Sequence, residues 1–231
     1  MPQPTFRAAA LALVALSACD AAPPAPEPSA QAAAEAPRPP QGPEKLVVAV
    51  GDSLYAGYGL KPGESWPAKL EKALRERGIN ARVVNAGVSG DTTAAGRQRL
   101  AFVLDAQPRK PDLVALGFGG NDMLRGLSPD EARANLDAML AELDKRGIPA
   151  LMTGMLAAPN LGKDYADAFN AIFPTLAKKH DAALVPFLLQ PVIGRPDLMQ
   201  RDHVHPTAEG IDAIVADTVD DVERALAAPA G

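Results

Sequence analysis

The chain of 231 residues is 22% charged and 47% hydrophobic with a formal net charge of −5, the balance of an ordinary globular domain. Only 4% of its residues are aromatic and its Lys and Arg residues form no cluster, so it has neither the electrostatic footprint nor the stacking platform of a nucleic-acid binder. A single cysteine excludes an internal disulfide framework, and the length fits one domain.

Residues 1–19 read as an export signal: Arg7 is the positive flank, Ala8 to Leu16 a short apolar core, and small residues follow. That core is too short to span a bilayer. Leu16-Ser17-Ala18-Cys19 resembles the lipobox of bacterial lipoproteins, which implies that Cys19 becomes the lipidated first residue of an exported protein tethered to a membrane, in the periplasm or cell envelope. The alternative is a plain secretory signal cut near Ala21 or Ala22. Residues 20–44 hold eight prolines among alanines. Such a segment cannot bury a core and leans to polyproline II, a tether of up to about 75 Å. The folded domain is expected over residues 45–229.

Leu46 to Val50 is an unbroken apolar run that ends in Gly51-Asp52-Ser53, as a central parallel strand buried on both faces does. Ser53 therefore stands at a strand's carboxyl end, the edge where open α/β sheets bind ligands. A helix follows, capped by Ser65 with Pro67 in its first turn and closed before Gly78, then a strand over Arg82 to Asn85. The loop Gly87 to Thr92 leads to a helix ended by Pro108, and Leu113 to Leu116 is a third strand running into Gly119-Gly120-Asn121-Asp122.

Ser128-Pro129-Asp130-Glu131 reads as a capping box for a helix that reaches Gly147, and Pro149 to Met155 is the fourth strand. Pro174 is expected to kink the next helix, Asp164 to Lys179, and Leu184 to Phe187 is the fifth strand. Residues 188–206 have no regular pattern, and a final helix capped by Thr207 ends near Ala227. Alternating strands and helices predict a three-layer α/β/α sandwich around a five-stranded parallel, flavodoxin-like sheet with right-handed crossovers.

Asp202-His203-Val204-His205-Pro206 supplies what Ser53 needs. His205 is placed to take the serine proton, and Asp202, on the same loop, to bond the other ring nitrogen and fix its tautomer. Two other readings of this loop are solvated surface histidines and a metal site of Asp202, His203 and His205, which lacks a convincing fourth ligand. Asp52, Asp91 and Asp122 read as loop-shaping acceptors.

Gly51-Asp52-Ser53-Leu54, Gly87 to Thr92, Gly119 to Asp122 and Asp202 to Pro206 stand in the order of the four sequence blocks of SGNH (GDSL) hydrolases. The chain resembles that superfamily from Leu46 to its last helix, most closely the bacterial acyl-CoA thioesterase I, lysophospholipase and arylesterase branch. The resemblance implies the SGNH hydrolase fold with Ser53 as nucleophile, His205 as base and Asp202 as its orienter. It also implies an oxyanion hole of the Ser53 and Gly90 backbone N–H groups and the Asn121 side-chain amide, and no cofactor or metal. One departure is that the loop Met155 to Asn160 lacks the basic residue of thioesterase-type members.

The expected activity is hydrolysis of acyl esters, including aryl esters and extending to thioesters or lysophospholipids. The candidate walls Met123-Leu124 and Leu156-Ala157-Ala158-Pro159 suit an acyl chain. Carbohydrate O-deacetylation is the alternative within enzymes, and a non-catalytic binding lipoprotein the alternative outside them. The expected partners are a small acyl ester and, through the anchor, a membrane; the expected state is a monomer.

Overall fold

The computed structural model describes Met1 and residues 38–228, and the chain divides into two units, Met1–Ala36 and Pro37–Gly231. The export signal, Cys19 and the tether as far as residue 37 lie outside the described residues. In the second unit one parallel sheet runs β2-β1-β3-β4-β5, with β1 Arg38–Gly51, β2 Arg77–Gly87, β3 Leu113–Gly117, β4 Ala150–Thr153 and β5 Ala183–Val185. Helices α2 (Trp66–Glu76) and α8 (Ala208–Ala227) pack together on one face. On the other lie α3 (Thr93–Asp105), α5 (Pro129–Lys145), α6 (Lys163–Asn170) and α7 (Ile172–Lys179). The expected sandwich and strand order are what the chain adopts.

Leu46, Val47, Val48, Ala49 and Val50 are all fully buried, because β1 has a strand on either side and helices above and below. Each buried Val or Leu stabilises the fold by about 1.5–3 kcal/mol, so a charge at Val48 would be among the most damaging single changes. Across the helical layer, Trp66 Nε1 donates to Thr218 Oγ1 at 3.1 Å in the buried α2–α8 contact.

Several boundaries differ from the sequence expectation, each for a physical reason. The β1 ladder starts at Arg38 rather than near Lys45, with register shifts between Arg38 and Gln41 and between Gln41 and Lys45. Pro39, Pro40 and Pro43 have no N–H to donate there, and Asn80 and Arg109 hold the segment by donating to the Gly42 and Glu44 carbonyls. β2 is correspondingly longer than Arg82 to Asn85.

Thr207 caps α8 by accepting from the Gly210 N–H at 3.1 Å. Ser65 and Ser128 occupy their N-cap positions without side-chain cap bonds. Ser128 is exposed to competing water, and Ser65 Oγ lies 3.4 Å from Asn85 Nδ2 instead. The break attributed to Pro174 falls at Ala171, between α6 and α7. The proline lacks the N–H that would bond the Asn170 carbonyl four residues back, and its ring crowds that carbonyl.

Candidate active site

The carboxyl edge of the sheet is shaped by glycine. Gly51 pairs with Gly87 on one side and Gly117 on the other, and the short helix α1 (Ser53–Ala56) lies across them. A Cβ at Gly51 or Gly117 would fall 2.6 or 2.4 Å from the ring of Tyr55, and at Gly87 2.4 Å from the Ala56 nitrogen. Tyr55, fully buried, crosses these strand ends and bonds Thr153 Oγ1 on β4 at 3.0 Å. This seat fixes the direction of Ser53, the first residue of α1, whose N–H has no place in the helix's own ladder.

The structure brings Ser53, His205 and Asp202 into line. His205 Nε2 lies 2.8 Å from Ser53 Oγ although 152 residues separate them, and His205 Nδ1 lies 2.7 Å from Asp202 Oδ2. Asp202 Oδ1 accepts the Val204 and His205 backbone N–H groups at 2.9 and 3.0 Å. Partial burial pushes this carboxyl up, but the backbone N–H of His205, its ring and the Val204 N–H outweigh it and hold Asp202 down at about 2. An ionised Asp202 only accepts, so Nδ1 carries the proton and the Nε2 lone pair faces the serine hydroxyl. His203 adopts φ +57, a left-handed turn residue between the two, and among the described residues no group of three acidic, His or Cys side chains has metal-site geometry.

Asn121 sits in the short helix α4 (Gly120–Leu124), where its Nδ2 donates to Asp52 Oδ2 at 3.3 Å. Asp52 Oδ1 accepts the Leu54 N–H at 3.0 Å as the cap of α1. Burial pushes Asp52 up to about 6 against the pull of the Leu54 N–H and the Asn121 amide. Gly90 has φ +87, and a Cβ there would meet nothing closer than Arg125 Nη2 at 3.6 Å; the backbone conformation, not crowding, asks for glycine. Ser53, Gly90 and Asn121 border one cavity.

The three loop aspartates act as acceptors, as their positions suggested. Asp122 takes the buried Thr93 N–H and hydroxyl at 2.8 and 2.6 Å, tying α4 to α3. Asp91 accepts from Arg99 Nε at 2.6 Å, and the same guanidinium donates to the Ala86 and Gly51 carbonyls at 2.7 and 2.9 Å. From the other side Arg125 donates to the Gly90 carbonyl at 2.7 Å. Sequence reading passed over Arg99, Arg125, Tyr55 and Gln200. Their only advance signal is proximity in sequence to the blocks, since an arginine reads alike whether solvated or clamping a loop.

The cavity over Ser53 measures about 660 Å³. Its walls include Met123-Leu124 and Leu156 to Pro159, and also Leu189, Ile193, Met199 and Val204 from the irregular stretch before His205. Tyr58, Leu124, Leu156 and Ile193 line it while remaining exposed, so the mouth is apolar as well as the interior. A cavity of about 630 Å³ at the start of β4 and β5 is bordered by His180, Asp144, Asp221 and Arg224, which are spent on ion pairs.

The GDSL-like Lipase/Acylhydrolase family matches residues 49–213. The chain is 42% identical over 169 residues to an arylesterase of Vibrio mimicus, spanning 73% of this chain and 83% of the relative. It is 36% identical over 163 residues to thioesterase 1/protease 1/lysophospholipase L1 of Escherichia coli K12, spanning 71% and 76%. Among solved structures it is similar to AlinE4, an SGNH-hydrolase family esterase, at 60% identity and a TM-score of 0.69 over 81% of this chain and 100% of that one. It is similar to TesA at 36% identity and a TM-score of 0.74 over 78% and 99%.

Proposed function

Because the chain belongs to the GDSL-like lipase/acylhydrolase family and is an ester hydrolase of the SGNH type, we propose that it works through an acyl-enzyme on Ser53, with His205 as base and Asp202 as its orienter. The observation that carries this is the 2.8 Å approach of His205 Nε2 to Ser53 Oγ. The serine proton passes to Nε2 as Oγ attacks the ester carbonyl. The oxygen of the tetrahedral intermediate takes its negative charge among the Ser53 and Gly90 N–H groups and Asn121 Nδ2, donors that need no proton transfer. Collapse expels the alcohol, phenol or thiol with the proton from Nε2, and water repeats the cycle on the acyl-serine. No step calls for a metal or cofactor.

The substrates we propose are short- to medium-chain acyl esters, aryl esters among them, with thioesters as a secondary class. Support comes from the apolar cavity and mouth and from the relatives, an arylesterase in Vibrio mimicus and a thioesterase 1/protease 1/lysophospholipase L1 in Escherichia coli. For placement in the cell, we propose export and lipid anchoring at Cys19 on the pattern of residues 1–19, with the domain acting as a monomer on small acyl esters. Among the described residues no helix is long and apolar enough to cross a membrane.

The test is Ser53→Ala, with a fluorophosphonate probe on the parent protein. Ser53 is expected to be the labelled residue, and the folded variant to lose about 10⁴–10⁶ in kcat on p-nitrophenyl esters. Near-parental hydrolysis by a folded Ser53→Ala would overturn the mechanism.

A further inference from the structure

Gln200 does not line the cavity, yet it makes a closed set of contacts around the reacting pair. Its backbone N–H donates to the His205 carbonyl at 2.7 Å, and its carbonyl accepts the His203 N–H at 3.0 Å, which holds the turn that carries His203 in its left-handed conformation. Its side-chain Nε2 donates both hydrogens, to the Pro206 carbonyl at 2.9 Å and to the Tyr58 carbonyl at 2.8 Å. The Tyr58 N–H in turn donates to the Ser53 carbonyl at 3.2 Å, and the Tyr58 ring lies against the His205 ring with centroids 4.5 Å apart. Gly59 leaves the room for this: a Cβ there would meet Gln200 Oε1 at 2.3 Å.

Followed round, the contacts run from Ser53 to Tyr58, to Gln200, to His205 and back to Ser53 through the 2.8 Å Nε2···Oγ contact. The Nε2 bond to Tyr58 is the link in that ring that joins the loop of the nucleophile to the loop of the base. Among the described residues, no other side chain of the segment 198–206 hydrogen-bonds the loop 54–60. Without that bond the two loops would meet only through the Tyr58–His205 ring contact and the reacting atoms; such a non-directional contact would let the Ser–His distance drift, and about 1 Å of misplacement costs on the order of a hundredfold in rate.

We propose that Gln200 is a positioning residue that sets the Ser53–His205 distance by tying the base loop to the Tyr58 carbonyl. It touches no substrate and acts through His205, so its loss falls on kcat and leaves binding alone. The proposal rests on the roles given to Ser53 and His205 above. Gln200→Met, which keeps the chain length packed on Gly59 but carries no donor, and Gln200→Ala are compared with the parent on p-nitrophenyl esters, alone and combined with His205→Ala, with Tm measured for each.

The expected result is a fall in kcat of about tenfold to a hundredfold with KM within about twofold and Tm within a few degrees, and no further loss when Gln200→Met is added to His205→Ala. An unchanged kcat, a loss confined to KM, the same fold-loss in the His205→Ala background, or a Gln200→Met protein that no longer folds would each overturn it. Failure of the underlying mechanism is seen separately, as a His205→Ala protein that keeps parental kcat.

Discussion

The Oδ2 atom of Asp52 lies 3.3 Å from the amide nitrogen of Asn121, and this contact decides which end of the amide is used. A carboxylate only accepts, so nitrogen must face Asp52, and the second N–H of that nitrogen is the one left for the cavity. Gly-Asp-Ser thus carries its own device for aiming the proposed oxyanion donor: Ser53 is one residue along, and Asp52 also caps the helix that Ser53 begins.

The device depends on pH. Burial raises Asp52 to about 6, so acidification through that value protonates it and weakens its hold on Asn121. The acid limb of kcat/KM is expected to fall more steeply near pH 6 in the parent than in Asp52→Asn, which has lost this titration and sits on a plateau lowered about tenfold or more. For stability the sign is reversed from the usual carboxylate. A native value above the unfolded one means that the folded state binds more protons, so stability falls as pH rises from about 4 to about 6 and the cost, roughly 3 kcal/mol, is complete above. Asp52→Asn should therefore melt no lower than the parent near pH 8. Unchanged slope and plateau would remove Asp52 from the pathway.

Asn121→Ala is expected to lower kcat by about 10²–10³ with little effect on KM, because an oxyanion donor is used mainly in the transition state. Steady-state kinetics on one p-nitrophenyl ester decide it. A rise in KM alone would reassign Asn121 to substrate binding.

Acyl-chain preference follows from the walls. Each methylene buried against Met123, Met155 or Leu156 contributes about 0.8 kcal/mol, so kcat/KM should rise roughly threefold to fourfold per added carbon until the cavity is full. Esters from C2 to C12 are compared with acetylated xylan oligomers. An optimum at C2 together with faster deacetylation of the oligomers would favour the carbohydrate esterase reading.

Cys19→Ala is expected to move the protein from the membrane fraction to the soluble fraction, since several acyl chains anchor stably where the protein surface alone does not. Equal membrane retention of variant and parent would remove the lipid anchor from the proposal.

Much of the molecule is written locally. The buried run Leu46–Val50, the βα alternation and the glycines at strand ends are legible because burial on both faces demands aliphatic residues and sharp turns demand glycine wherever the rest of the chain goes. Asp202 and His205 are legible for the same reason: three residues apart, they bond within one turn, the carboxylate even accepting the His205 backbone N–H. Helix caps were less so, since Ser65 and Ser128 hold the right residue type without making the bond, because neighbours and water decide where a hydroxyl turns.

What the tertiary structure alone decided is every contact that depends on two loops arriving together. The Ser53–His205 approach needs β1 and the segment before α8 to end at the same edge. The clamps of Arg99 on Ala86 and Gly51, of Arg125 on Gly90 and of Gln200 on Tyr58 link residues far apart in the chain. Residues 188–206, patternless in sequence, become a wall of the cavity because Leu189, Ile193 and Met199 face a site rather than follow a helix or strand period. Periodicity records what an element packs on along its own length, and a side chain that reaches across to another loop leaves no such record.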